Sequence, residues 1–417
     1  MATTSQPTFT RYEKFVVAIL ALLQFTIVLD FMVLSPLGAI LMQELQITTS
    51  QFGLVVSAYA FSAGASGLLA AGFADKFDRK KLLLFFYAGF VLGTFFCGLA
   101  PDYPSLMAAR IFTGIFGGVI SSISFAIITD LFPVQVRGRV MGFVQMAFAS
   151  SQVLGIPIGL YLANELGWHA PFLMIVGLSL LIGLAIVFYL RPIDMHLALQ
   201  TRQNAFQHLF KTVSQARYLR AFMATTLLAT GGFMLMPFGS AFSVHNLGID
   251  LHQLPLLYMC TGLITMITSP IIGKLSDKLG KIQTFVIGSA ISGVMVLIYC
   301  NLGLTPLWLV IAINAVLFVG ITSRMIASSA LITAVPAPQD RGAFMGVNSS
   351  VQQVSGGVAA AVAGLIVSET TTGKLVHYDT VGYLVVVTIV ITVVLMYRIH
   401  RDVFGKKKSE LTTAPST

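Results

Sequence analysis

Charged residues are scarce in this sequence. Asp, Glu, Lys and Arg together make up 10% of its 417 residues, whereas apolar residues make up 56%. In soluble globular proteins roughly a quarter of the residues are charged. A chain with so little charge and so many apolar side chains would not stay dissolved in water, which excludes a soluble fold.

Cysteine and the usual catalytic or metal-binding motifs are also lacking. The three cysteines, Cys97, Cys260 and Cys300, lie in or beside apolar stretches and form no CxxC pair. Neither a disulfide framework nor a cysteine metal site is indicated. The sequence has no HExxH motif, no Gly-x-Ser-x-Gly elbow and no phosphate-binding Gly-rich loop. We therefore expect no metal, no cofactor and no enzymatic activity, and an ATP-driven pump is disfavoured.

Long apolar runs dominate the rest of the sequence. Each is long enough to cross a hydrocarbon core of about 30 Å as a helix, which satisfies its own backbone hydrogen bonds. The first run is too long for the hydrophobic region of a cleaved signal peptide, so we retain it as a helix. Twelve helices are predicted, at residues 15–42, 50–72, 82–100, 105–131, 140–163, 170–190, 219–244, 252–273, 282–301, 305–335, 343–367 and 381–399.

The basic residues have a one-sided distribution. The net charge is +9, but Lys and Arg lie in short connectors and form no basic helix, so a nucleic-acid partner is not indicated. With the amino terminus inside, all 25 Lys and Arg fall in cytoplasmic segments except Lys374, Arg110 and Arg324. The positive-inside rule then predicts that both termini are cytoplasmic. We expect an integral protein of the plasma (bacterial inner) membrane, surrounded by membrane lipid.

Two landmarks recur in the second half of the chain. Ala71-Gly-Phe-Ala-Asp-Lys-Phe-Asp-Arg-Lys80 follows the second predicted helix, and Gly273-Lys-Leu-Ser-Asp-Lys-Leu-Gly-Lys281 follows the eighth. Arg137-Gly-Arg-Val-Met-Gly142 opens the fifth helix, and Arg341-Gly-Ala-Phe-Met-Gly346 opens the eleventh at nearly the same spacing. Two landmarks with one period indicate that a six-helix unit has been duplicated.

The repeat divides the chain into four parts. We expect an N-terminal six-helix bundle at residues 1–190, a cytoplasmic linker at 191–218, a C-terminal six-helix bundle at 219–400 and a cytoplasmic tail at 401–417. The linker is polar and holds no soluble domain, although residues 205–213 have the pattern of a short amphipathic helix on the membrane surface.

The loop after the second helix resembles the signature loop of the major facilitator superfamily, Gly-x-Leu-Ala-Asp-Arg-x-Gly-Arg-Lys. The copy after the eighth helix resembles it more closely, whereas Ala71 and Asp78 stand where the pattern prefers Gly. Arg110-Ile-Phe-Thr-Gly114 and Gly155-Ile-Pro-Ile-Gly159 are similar to the superfamily's helix-four and helix-five motifs. The resemblance covers nearly the whole chain and extends to the drug:proton antiporter and arabinose-efflux-like branch. It implies an all-α membrane protein with twelve transmembrane helices in two pseudo-symmetric six-helix bundles.

Asp30 and Arg110 are the candidate proton-coupling residues. Asp30 lies inside the apolar run of the first helix, where burial favours the protonated carboxyl and a nearby cation favours the carboxylate. A rise of about 1.5 Å per residue places Arg110 of the fourth helix at a similar depth. The pair either exchanges a proton between conformations, which is the role that the resemblance implies, or is a static ion pair that fixes helix packing.

A second group of charges is predicted at the cytoplasmic ends of the helices. By resemblance, Asp75, Arg79 and Asp130 form a cytoplasmic gate that holds the first half closed and contacts the start of the eleventh helix. Asp277 belongs to the weaker second copy. The alternative is that these charges only follow the positive-inside rule, which accounts for the lysines but not for the matched aspartates.

A substrate cavity is expected between the halves. Arg324 in the tenth helix has no carboxylate in a neighbouring second-half span. It therefore faces a water-filled cavity or a substrate anion, pairs across the bundle, or caps backbone carbonyls. Each of the other candidate cavity residues, which are polar side chains and one methionine, either contacts substrate or makes only helix-to-helix contacts. The candidate cavity residues are Gln24, Met234, Asn314, Arg324, Gln352 and Gln353.

These features predict a secondary transporter that works by alternating access. Proton-coupled efflux of a small organic compound, such as a drug, sugar or metabolite, is the favoured function. A facilitator or proton symporter of the same fold and a non-transporting membrane receptor are the alternatives. Nothing in the sequence requires more than a monomer.

Overall fold

The computed structural model describes residues 9–70, 76–194, 197, 214–336, 340–371 and 373–405. Twelve helices within this part are long and apolar enough to cross a membrane, in the predicted order. The predicted linker helix at 205–213 lies outside the described residues. In chain order, the spanning helices are α1 (Arg11–Val33), α2 (Thr49–Ala70), α3 (Arg79–Leu99), α4 (Tyr103–Leu131), α5 (Val134–Ser150 and Ile156–Leu166), α6 (Ala170–Tyr189), α7 (Ala216–Leu235 and Gly239–His245), α8 (Leu254–Leu279), α9 (Lys281–Cys300), α10 (Leu307–Thr333), α11 (Arg341–Ile366) and α12 (Tyr378–His400).

Shorter elements join or continue these helices. A π-helical turn, Ser151–Gly155, joins the two segments of α5, and a 3-10 turn, Met236–Phe238, joins those of α7. Two strands, β1 (Ser368–Glu369) and β2 (Leu375–Val376), pair antiparallel between α11 and α12. The remaining short elements are the helix Gly38–Glu44, the 3-10 turn Leu251–Gln253 and the π-helical turn Arg401–Gly405.

Polar caps fix where several spans begin. Thr10 and Glu13 form a capping box at the start of α1, and Asp102 and Ser105 form one at the start of α4. The Asp78 side chain accepts a hydrogen bond from the backbone of the first turn of α3. These side chains satisfy amide groups that have no partner within the helix. Membrane entry is therefore encoded locally at these positions.

Prolines divide two of the predicted spans. α1 ends at Val33, nine residues before its predicted end, and the helix Gly38–Glu44 follows a turn that contains Pro36. Proline has no backbone N–H to donate, and its ring clashes with the preceding turn of a helix. Pro237 lies in the 3-10 turn that divides α7 for the same reason.

The two halves are joined at one end of the molecule. We call the end at which α1 begins and α12 finishes the terminal end, and the other the opposite end. At the opposite end a single apolar cluster contains residues of both halves. Phe52 of α2 packs against Phe238 with ring centroids 6.0 Å apart. The Ser240 hydroxyl donates to the Ser35 carbonyl at 3.0 Å, so the opposite end is closed by packing and by hydrogen bonds.

At the terminal end each half has an apolar cluster of its own. One contains only first-half residues, among them Leu20 and Ile127, and the other only second-half residues, among them Phe285 and Phe344. Between the halves, α2 and α11 contact each other most extensively, as the hydrogen bond from Ser57 Oγ to the Gly357 carbonyl at 2.7 Å illustrates. α5 and α8 also meet, since a Cβ at Gly262 would lie 3.0 Å from the backbone of Gln152. The halves therefore share a core at the opposite end but not at the terminal end.

Candidate functional site

The structure brings Asp30 and Arg110 together inside the first half. Arg110 Nη1 lies 2.8 Å from Asp30 Oδ2, and the two side chains are 1% and 0% exposed. Thr94 of α3 donates a hydrogen bond from Oγ1 to Asp30 Oδ1 at 3.2 Å. Arg110 is seven residues into α4, roughly 10 Å from the opposite end at 1.5 Å per residue. Three helices thus converge on one carboxylate within the membrane-spanning region.

Aromatic rings cover this ion pair. The Arg110 guanidinium lies over the Tyr59 ring with Cζ 4.5 Å from the centroid, a cation–π contact. Phe31 packs against Tyr59 at 5.5 Å and against Phe233 of α7 at 5.6 Å between ring centroids. Phe31 therefore links the environment of the pair to the second half of the molecule.

Small residues on α4 allow this approach. A Cβ at Gly117 would lie 2.6 Å from the Tyr59 hydroxyl, which is closer than real Cβ atoms approach other groups. A Cβ at Gly114 would lie 2.6 Å from the Tyr59 carbonyl oxygen. These glycines let α4 pack directly on α2. Both positions that define the helix-four motif therefore contribute: Gly114 lets α4 approach α2 closely, and Arg110 then contacts Tyr59.

The chemistry of the pair follows from its burial. Within the described residues Asp30 is the only carboxylate in a fully buried position. Separating two buried opposite charges leaves each uncompensated in a low dielectric, which is costly. Arginine stays protonated in proteins, so only the carboxyl group can change its charge. The arrangement can therefore take up a proton only at Asp30, and that proton would weaken the attraction to Arg110.

Two of the residues predicted to form the gate, Arg79 and Asp130, form an ion pair at the terminal end. Arg79 Nε lies 3.0 Å from Asp130 Oδ2, and Arg79 is 5% exposed although it stands at the start of α3. Arg137 donates from Nη2 to the Thr129 carbonyl at 2.6 Å and so caps the end of α4. Asp75 lies outside the described residues. The structure thus joins α3, α4 and α5 through two arginines at this end.

The second copy of the gate has a different geometry. Asp277 pairs with Lys281 one turn later, and its side chain is 73% exposed. Exposed ion pairs contribute little to stability. Tyr218 of α7 instead donates from its hydroxyl to Asp340 Oδ2, just before α11, at 2.8 Å. The second half is therefore braced at this end by α7 and the start of α11.

The predicted cavity residues are not gathered at one point. Gln24 accepts a hydrogen bond from Ser121 Oγ of α4 at 3.1 Å and is buried. Asn314 donates to the Val310 carbonyl of its own helix, and Met234 lies in the shared apolar cluster at the opposite end. On α11, Gln352 is exposed and Gln353 is half-buried.

Arg324 occupies an unusual position in the second half. It is 7% exposed, and its guanidinium carbon lies 5.8 Å from the centroid of the Phe285 ring of α9. Its Nε and Nη2 atoms have no hydrogen-bond partner among the residues that the structure describes. The prediction that it lacks a neighbouring carboxylate agrees with this geometry, because no ion pair to Arg324 is present in the described part of the chain.

Residues other than the predicted ones complete the site. Thr94, Tyr59 and Phe31 contact the ion pair or its cover, although sequence reasoning did not identify them. Thr94 carries a weak signal, since it is an isolated hydroxyl within the apolar run of α3. Tyr59 and Phe31 carry none, because aromatic residues are common in spanning helices.

The described residues form twelve apolar helices in two halves with a buried ion pair in the interior, which is the architecture of a polytopic membrane transporter. A sequence model of the Major Facilitator Superfamily matches the chain twice, at residues 20–238 and 221–416. The chain belongs to that superfamily. The proposed duplication is consistent with these two matches, each covering roughly one half.

Individual relatives support the same assignment. The uncharacterized MFS-type transporter YceJ of Bacillus subtilis (strain 168) is 29% identical over 274 residues, which cover 65% of this chain and 69% of that protein. Multidrug resistance protein 3 of the same organism is 31% identical over 141 residues, 34% of this chain and 27% of that protein. This second match therefore spans little more than a quarter of the relative's length.

A solved structure has the same fold. A bacterial homolog of the human lysosomal transporter Spinster, in an inward-facing and unoccupied conformation, superposes with a TM-score of 0.74 at 15% identity. The alignment covers 95% of this chain and 99% of that chain. At this level of identity the similarity concerns the fold alone. The all-α prediction with twelve spans is confirmed.

Proposed function

We propose that this transporter exchanges protons for a small organic compound and thereby exports that compound from the cytoplasm. The observation that carries the proposal is the fully buried ion pair between Asp30 and Arg110. A membrane-buried carboxylate is costly, and its usual roles are proton relay and substrate binding. Asp30 is the group that accepts the proton. Its ion pair with Arg110 breaks when the carboxyl group is protonated and forms again when the proton is released.

Protonation changes the contacts that hold α1 and α4 together. With Asp30 charged, Arg110 and Thr94 both bind its carboxylate oxygens. With Asp30 neutral, the attraction to Arg110 falls and the guanidinium keeps mainly its contact with Tyr59. Because Phe31 follows Asp30 directly and packs on Phe233 of α7, a shift of α1 is transmitted to the second half.

The proposed cycle moves two bundles against each other. Residues 1–190 and 219–400 rock about the central cavity, and the terminal end faces the cytoplasm as the positive-inside rule requires. The shared apolar cluster at the opposite end then corresponds to a conformation closed to the outside. Asp75, Arg79, Asp130 and Asp277 form the gate that closes the cytoplasmic side in the other conformation.

An amphiphilic compound is the substrate class that we favour. The match to multidrug resistance protein 3 spans only 34% of this chain, so we infer the substrate class from the chemistry of the proposed cavity residues. The proposed cavity residues combine amides (Gln24, Asn314, Gln352 and Gln353), a thioether (Met234) and one cation (Arg324). A conformation of the proposed cycle that brings these side chains together would present a mixed surface, which can bind an apolar compound that carries a few polar groups.

Proton movement in liposomes tests the proposal. Purified protein is reconstituted with a pH-sensitive dye inside, and sugars, nucleosides, amino acids and cationic dyes are added one at a time. We expect one class to drive proton movement in the wild type, no such movement in Asp30→Asn, and slower movement in Asp30→Glu, which keeps a titratable carboxyl. Asp102→Asn is the matched control, because Asp102 is an exposed carboxylate that only caps α4.

Two results would contradict the antiport mechanism. Substrate transport at the wild-type rate in Asp30→Asn would make Asp30 a packing residue and would favour a facilitator. Binding of substrate without any transport in the wild type would favour a receptor. In both cases the fold assignment would stand, since it rests on the family match rather than on the proton.

A further inference from the structure

We propose that a groove between α7 and α12 at the terminal end binds the headgroup of an anionic phospholipid. The groove is open on one side and has a volume of about 640 Å³. Val393, Val394 and Tyr397 form its apolar side. Its polar lining consists of Arg220, Arg398, Arg401 and Asp402. None of these residues belongs to the ion pair, the gate or the proposed cavity.

The charge of the groove is suited to a phosphate. Three arginines against one aspartate give it a net charge of +2. Arg220 pairs with Asp402, whereas the guanidinium groups of Arg398 and Arg401 have no ion-pair or hydrogen-bond partner in the part of the chain that the structure describes. A guanidinium presents a planar fork of donors that matches phosphate oxygens in bidentate fashion. The two unpaired guanidinium groups lie on adjacent helical turns and can therefore bind one anion together.

The apolar surface beside the arginines identifies the anion as part of a lipid. Exposed apolar residues form a stripe along α12 at helical spacing, which faces away from the bundle. This stripe runs directly into the groove, since Arg398 and Arg401 follow Val394 and Tyr397 by one turn each. The stripe consists of Val387, Val390, Ile391, Val394 and Tyr397.

The depth of the groove fits a headgroup. α12 ends at His400, and Arg401 begins the following π-helical turn, so the arginines lie where the span leaves the hydrocarbon. Tyr397 is 61% exposed, and aromatic residues with a polar tip favour this interfacial depth. Acyl chains on the valine stripe would place the lipid phosphate beside Arg398 and Arg401. A soluble phosphate would gain nothing from the stripe.

Asp402 and the lipid phosphate would compete for the same partner, Arg220. Asp402 holds Arg220 across the groove, with the two side chains 38% and 50% exposed. An ion pair this exposed is weak and readily rearranged. An arriving phosphate replaces Asp402 as the partner of Arg220, so that one lipid bridges α7 and α12. This inference does not depend on the proposed proton coupling.

Native mass spectrometry of the detergent-solubilised full chain tests the site. The protein is titrated with dioleoyl phosphatidylglycerol and, separately, with dioleoyl phosphatidylcholine. We expect preferential binding of phosphatidylglycerol, and a loss of about fivefold in its affinity for each arginine removed in Arg398→Gln and Arg401→Gln. Asp402→Asn, which removes the competing carboxylate, should bind the lipid more tightly than the wild type.

Matched controls make every outcome decisive. Lys274→Gln with Lys278→Gln removes two exposed basic residues from α8 at the same end of the molecule but outside the groove. The proposal is overturned if this control loses as much affinity as the arginine variants, or if those variants bind phosphatidylglycerol as the wild type does. Competition by free glycerol 1-phosphate at lipid concentrations would assign the site to a soluble phosphate instead. Thermal unfolding in phosphatidylcholine micelles checks that each variant is folded.

Discussion

Two arginines buried in the membrane region differ in their partners. Arg110 is 1% exposed and pairs with Asp30, whereas Arg324 is 7% exposed and has two guanidinium nitrogens without a partner among the described residues. Arginine cannot lose its proton to relieve burial. Neutralising Asp30 should therefore lower the free energy of unfolding, because Arg110 loses its partner. No single carboxylate should have the same effect through Arg324.

Asp30→Asn is expected to destabilise the protein, because it leaves Arg110 buried and uncompensated. Breaking such a pair from one side costs about 3–5 kcal/mol, whereas replacing both partners by uncharged groups is often close to neutral. We expect a lower melting temperature in detergent for Asp30→Asn and recovery of most of the loss in the double variant with Arg110→Met. Scanning fluorimetry measures both.

Arg324→Met is the matched control for this prediction. It removes a buried arginine that has no ion pair to lose, so stability should stay the same or rise. An equal loss of stability in Arg324→Met and Asp30→Asn would show that the ion pair is not the source of the effect. Retained stability together with lost transport in Arg324→Met would support its place in the cavity.

At the scale of helices, contact between α2 and α11 depends on small residues. A Cβ at Gly53 would lie 2.8 Å from the Ala360 carbonyl oxygen and 3.2 Å from the Gly364 Cα, both backbone atoms that cannot rotate away. Close backbone approach is how membrane helices gain packing energy without a hydrophobic driving force between them. Close van der Waals packing of the two backbones therefore holds α2 and α11 together.

Gly53→Ala is expected to separate α2 from α11 and to lower the melting temperature, although alanine is the better helix former by about 1 kcal/mol. Gly177→Ala in α6 is the control, since a Cβ there would meet nothing within 4 Å. This control should keep or raise stability. If Gly53→Ala were as stable as Gly177→Ala, close packing at this position would not matter to the fold.

At the scale of the whole molecule, the closed opposite end is the feature most closely tied to transport. Ser35 and Ser240 belong to different halves and meet through a hydrogen bond of 3.0 Å. Alternating access requires that such contacts break when the molecule opens to this side. A covalent link at the same place should therefore stop the cycle without disturbing the conformation described above.

A disulfide between Ser35→Cys and Ser240→Cys, made in a background with Cys97, Cys260 and Cys300 replaced by serine, tests this expectation. The first measurement is whether the link forms under mild oxidation, seen as loss of free thiols. The cross-linked protein is expected to lose transport and to regain it with dithiothreitol. Each single cysteine variant is the control and should transport normally under oxidation. Full transport by the cross-linked protein would mean that the opposite end need not open.

Local sequence patterns were enough to predict the twelve spans, their order, the repeat and the presence of a carboxylate and an arginine at similar depth. These follow from local properties, since a helix in lipid must be apolar over its length and must satisfy its own backbone. The breaks near Pro36 and Pro237 were readable in principle from proline alone. The position of the loop signature likewise depends only on adjacent residues.

Contacts between side chains on different helices could not be predicted in this way. Asp30 and Arg110 are 80 positions apart, and their 2.8 Å contact depends on how α1 rotates against α4. The same packing brings Thr94 and Tyr59 to the ion pair and leaves Arg324 without a carboxylate partner among the described residues. Helix rotation and closure of the opposite end arise from interlocking side-chain shapes over the whole bundle, which no local pattern encodes.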